Sequence, residues 1–121
     1  MIIVRLGVAA AIAAMLALPA GAAAPKPPAR LQVVADEFNL RLSRQTIKAG
    51  AAIVQLANFG EDAHDLRLRR RGGTRTYVIA PTQAGETRDL SARFLAGRFA
   101  LWCSLADHRE RGMVATLVVA R

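Results

Sequence analysis

The sequence predicts an all-β fold, a Greek-key antiparallel β-sandwich of about eight strands, preceded by a secretory signal peptide. Three observations predict it. From residue 31 onward the apolar residues follow a two-residue alternation or short β-branched runs, with no helical period. The runs are brief and separated by Gly, Pro, Asn or Asp, the residues of turns. A chain of 121 residues is long enough for one domain around a single core and too short for two.

Residues 1–23 read as the signal peptide. "MIIVR" is a short basic start, "LGVAAAIAAMLAL" an apolar run, and "PAGAAAP" a helix breaker followed by small residues. Cleavage is expected after Ala22 or Ala23, because Pro25 is a poor residue directly after a cut. The alternative is an uncleaved membrane anchor, although the run is alanine-rich and short against the ~20 residues of a span. Either way the domain works outside the cytoplasm, in a periplasmic or other extracytoplasmic space, without stable membrane insertion once cut. Residues 24–30, containing "PKPPAR", form an extended Pro-rich tether. The domain proper is residues 31–121.

The strand candidates follow in order: "LQVVA" at 31–35, "FNLRLS" at 38–43, "TIKAG" at 46–50, "AIVQLANFG" at 52–60 and "HDLRLR" at 64–69. "TYVIAP" at 76–81, "GETRDL" at 85–90, "GRFALWCS" at 97–104 and "GMVATLVVA" at 112–120 complete the set, with one short helical turn expected around "SARFLAG" at 91–97. Side chains alternate across a strand, so His64, Leu66 and Leu68 share the inner face while Asp65, Arg67 and Arg69 share the outer. The same rule groups Phe99, Leu101 and Cys103, and groups Met113, Ala115, Leu117 and Val119. Three strands each end an apolar row with an unusual residue. Those ends are expected to meet at one pole of the sandwich.

The formal net charge is +8, with fifteen arginines against two lysines. Aromatic residues are few and not interleaved with basic ones, which argues against single-strand nucleic-acid binding. Arg67, Arg69, Arg70 and Arg71 read as a solvated strand edge and turn that discourages sheet pairing. Together with Arg109 and Arg111 they are also candidates for docking an acidic partner. Trp102 is out of phase with Cys103 and is expected on the opposite face of its strand.

With the signal removed, His64, His108, Cys103 and Met113 are the only histidines, cysteine and methionine left. A lone cysteine in an exported protein has no internal disulfide partner and needs another role. Two imidazoles and a thiolate with a weak axial thioether form the donor set of a blue-copper site, whereas structural zinc sites rarely use methionine. Residues five apart lie about 140° apart around a helix, so Cys103, His108 and Met113 require a loop. "SLAD" and "RERG" suit one: Asp107 can take unusual backbone angles and Gly112 adds freedom before the methionine.

"NFGEDAHD" and "WCSLADHRERGM", with "TIKAG" ahead of them, resemble the cupredoxins, small blue-copper proteins, over the whole of residues 31–121. Asn58, Gly60 and His64 match the family's N-x-G-x3-H pattern, and Cys103, His108 and Met113 match its cysteine–histidine–methionine loop in a long form. The resemblance implies one copper ion held by His64, Cys103, His108 and Met113, with amides of Asp65 and Leu105 donating to the Cys103 sulfur. Ala106 and Asp107 stand where many members have Pro-Gly, and Asp65 where many have Asn. The implied function is single-electron transfer between redox partner proteins, by a monomer that is not an enzyme; the alternative is a copper carrier or sensor using the same ligands. A cysteine nucleophile activated by histidine would leave Met113 without a purpose.

Overall fold

A computed structural model describes residues 1–17, 21 and 24–121 of the chain. The expected cleavage positions, Ala22 and Ala23, lie outside the described residues, and residues 1–17 are exposed without regular secondary structure. Among the described residues no helix is long and apolar enough to cross a membrane.

Nine strands form two sheets. They are β1 (Ala29–Asp36), β2 (Asn39–Leu42), β3 (Thr46–Lys48), β4 (Gly50–Asn58), β5 (His64–Arg70), β6 (Thr76–Thr82), β7 (Thr87–Phe94), β8 (Gly97–Trp102) and β9 (Val114–Ala120). One sheet has the order β2-β1-β4-β7 and the other β3-β9-β8-β5-β6. The sandwich is therefore as the alternation predicts, but the sheets are mixed: β1 runs parallel to β4 and β3 parallel to β9. Alternation specifies which face a residue occupies and carries no information about the direction of the neighbouring strand.

Three further expectations are corrected. β1 starts at Ala29, so the tether ends before residue 29; Ala29 and Arg30 already pair with Ala52 and Ile53. Residues 91–94 continue β7 and form no helical turn, because they pair antiparallel with residues 50–53 of β4. β5 is not a sheet edge: it lies between β8 and β6, and β6 is the edge. Its arginines project from a paired strand.

The core lies between the sheets and follows the predicted phases. Val33, Val54, Leu56, Leu66, Leu68, Leu101 and Leu117 are fully buried. Phe94 meets Tyr77 edge-on at 4.8 Å and Phe99 at 5.2 Å between ring centroids, joining the two sheets. Phe99 precedes Cys103 by four residues, about 13 Å along a strand. The aromatic cluster thus packs well away from Cys103.

Candidate metal centre

β1 and β4 end, and β5 begins, at the same pole where β8 gives way to the loop that leads to β9. His64 opens β5 after a loop that Asn58 ties down. The buried Asn58 amide donates to the carbonyls of Asp62 (2.8 Å) and Thr82 (2.9 Å), and its oxygen accepts from the Gly60 amide (2.8 Å). Every polar atom of that side chain holds backbone in place. His64 thereby enters the core with its ring fully buried.

Cys103 follows β8 directly, and its amide donates to the Met113 carbonyl at 3.2 Å, closing the loop at its neck. Within the loop the amide of His108 donates to Leu105, that of Arg111 to Asp107, that of Gly112 to Arg109 and that of Met113 to His108. These turns bring His108 and Met113 back into the interior, where both are buried. Ala106, and not Asp107, adopts the left-handed backbone in this loop, at φ 44°. Gly112, at φ 120°, runs so close to the β1–β2 turn that a Cβ there would lie 3.1 Å from the Phe38 carbonyl oxygen.

The donor atoms converge. Nδ1 of His64 and Nδ1 of His108 are 3.2 Å apart, and the Cys103 Sγ lies 3.9 Å from the first and 3.6 Å from the second. All three sit within 4.8 Å of one another. With nitrogen about 2.0 Å and sulfur about 2.3 Å from one ion at trigonal angles, the two nitrogens would be about 3.5 Å apart and each nitrogen about 3.7 Å from the sulfur. The observed triangle fits that spacing. With Met113 buried at the base of the same loop, the set combines soft sulfur with imidazole, the combination that suits copper.

Burial pushes the Cys103 thiol up; hydrogen bonds from the backbone of Leu105 and Asp65 act against this, and the Asp65 carboxylate adds to it. The Asp65 side chain leaves the inner face, as predicted, yet is buried. Its carboxylate accepts from the Ser104 amide at 2.6 Å and from the Ser104 hydroxyl, with Arg67 Nε at 3.5 Å. A register shift in the β5–β6 ladder between His64 and Leu66 accompanies this placement.

Two residues that carried no functional reading in the sequence complete the wall, both in the β1–β2 turn. Glu37 Oε1 accepts from the amides of Glu61 (2.8 Å) and Asp62 (2.7 Å) and lies 3.1 Å from His64 Nε2. The Asp62 amide, ahead of the other donors, holds the Glu37 carboxyl below its usual range. Phe38 packs tilted on His108 with centroids 5.1 Å apart, and the Arg111 guanidinium lies over the Phe38 ring at 4.8 Å. His108 Nε2 is 3.6 Å from Asp62 Oδ2, an ion-pair distance beyond hydrogen bonding.

The arginines do not form one patch. Arg69, Arg70, Arg71 and Arg109 line a surface groove with Trp102, and the Arg109 guanidinium stacks on the indole at 4.7 Å. Arg67 turns instead to Ser104, at 3.0 Å. Arg111 pairs with Asp107 at 2.8 Å and holds that carboxyl below its usual range.

By sequence the chain matches no protein-family model and no curated protein. Its structure is similar to that of reduced auracyanin from Roseiflexus castenholzii, with a TM-score of 0.64 and 13% identity over 79% of this chain and 100% of that one. Auracyanin B matches with a TM-score of 0.64 and 18% identity over 81% of this chain and 94% of that one. A multicopper oxidase matches at 0.60 and 14% identity over 79% of this chain, which spans 45% of that longer protein. With two mixed sheets closing over a histidine–cysteine–histidine triangle, and with auracyanins, rusticyanin and a purple cupredoxin sharing the architecture, the chain has the cupredoxin fold.

Proposed function

We propose that the protein is an exported single-copper electron-transfer protein whose metal is held by His64, Cys103, His108 and Met113. The observation that carries this reading is the buried triangle of two Nδ1 atoms and one Sγ. The copper, when bound, supplies one-electron chemistry by alternating between Cu(I) and Cu(II). The chain's part is to hold the donors still. His64 is anchored by β5, Cys103 by the end of β8, and His108 and Met113 by a loop whose backbone is tied at both ends. Burial keeps water from the donors, and His108, 7% exposed, is the least covered of the four and the natural entry for electrons.

Both histidines of this chain are in the one site, so no imidazole remains for a second, substrate-binding metal. The arginine groove beside Trp102 suits an acidic redox partner, and its field would act on the rate of encounter more than on affinity. The N-terminal apolar segment supports export.

Voltammetry of the copper-loaded protein tests the reading. A reversible one-electron couple, stable over repeated cycles, is expected. A protein that binds only Cu(I) and releases it on oxidation would be a carrier and would contradict electron transfer.

A further inference from the structure

We infer that Glu37 is a positioning residue for His64: its carboxylate keeps the imidazole proton on Nε2, turns the Nδ1 lone pair into the donor triangle, and favours the more highly charged state of the metal. The inference rests on His64 being a metal ligand.

The geometry makes Glu37 an acceptor and nothing else. Its Oε1 already receives the amides of Glu61 and Asp62 at 2.8 and 2.7 Å, so the third group at 3.1 Å, His64 Nε2, must approach as a donor. A neutral imidazole with its proton on Nε2 has its lone pair on Nδ1, the atom that faces His108 and Cys103. A carboxylate behind a metal-binding histidine also places negative charge near the metal, which helps a dication more than a monocation.

The surrounding chain is shaped to admit this carboxylate. A Cβ on Gly60 would lie 2.5 Å from both Glu37 carboxylate oxygens and 2.8 Å from Cδ, closer than real side chains approach. Gly60 is not among the glycines in the left-handed region, so its missing side chain serves the approach of Glu37 and not a turn. The turn itself is set by the β1–β2 register, in which Asp36 pairs with Asn39 and leaves Glu37 and Phe38 at the tip. A residue 27 positions upstream is thereby locked onto the ring.

Three variants test the assignment: Glu37→Gln, which keeps an acceptor oxygen without the charge, Glu37→Ala, which keeps neither, and Gly60→Ala, which displaces the carboxylate. The first readout is nitrogen-15 NMR of the imidazoles in the metal-free protein. A single Nε2–H form of His64 is expected in the parent and in Glu37→Gln, and a mixture in Glu37→Ala and Gly60→Ala. The second readout is copper. Glu37→Ala should weaken Cu(II) binding by ~10- to 100-fold. A tenfold greater loss for Cu(II) than for Cu(I) raises the reduction potential by about 59 mV, and Glu37→Gln should shift it in the same direction with its visible spectrum retained. An unchanged His64 tautomer in Glu37→Ala, or an unchanged potential in Glu37→Gln, would overturn the role of Glu37. A parent protein that takes up no copper would instead overturn the functional reading, while the metal-free tautomer still decides what Glu37 does.

Discussion

Ala106 and Gly112 place opposite demands on the ligand loop. Ala106 sits at φ 44°, where a residue with a Cβ is disfavoured by about 1–2 kcal/mol. Replacing it with glycine relieves that cost but returns about 0.4–1 kcal/mol of freedom to the unfolded chain. Ala106→Gly should therefore stabilise the metal-free protein by up to about 1.6 kcal/mol, seen as a rise of several degrees in thermal midpoint. Gly112→Ala meets both a φ of 120° and the Phe38 carbonyl, which is backbone and cannot swing aside. It should cost about 1–3 kcal/mol and weaken copper binding, because Met113 follows directly and His108 lies within the same turns. Equal thermal midpoints for the two variants would contradict this description of the loop.

Among the elements, β7 and β8 join the sheets through Phe94 and Phe99, at the other end of an apolar row from Cys103. Phe94→Ala should lower stability by about 3–5 kcal/mol in denaturant titration and leave the visible spectrum of the copper protein unaltered. A changed spectrum would mean that the site and the aromatic cluster are coupled. The inner faces of β5, β8 and β9 were legible in the alternation, down to His64, Cys103 and Met113 at the ends of apolar rows. Strand direction was not, because β1·β4 and β3·β9 owe their parallel sense to chain crossings between sheets. "SARFLAG" is rich in helix formers, yet its first four residues pair with β4 in the β7 ladder, so long-range pairing overrides local propensity. The three residues of the donor triangle could be picked out because the chain holds so few histidines and cysteines. Glu37 could not, since its partner is 27 residues away and a two-residue turn has no period to read.

For the whole molecule, the two sheets act as a clamp that brings the end of β4, the start of β5, the β1–β2 turn and the β8–β9 loop to one pole. The proposed export and partner encounter rest on the apolar N-terminal segment and the arginine-rich groove, and the proposed electron transfer rests on the donor triangle. The most direct measurement is to load the domain with Cu(II) and record visible and electron paramagnetic resonance spectra of the parent and of Cys103→Ser. An intense thiolate-to-copper band is predicted in the parent and its complete loss in Cys103→Ser. A colourless Cu(II) protein, or a band that survives without the thiol, would contradict a copper centre built on Cys103.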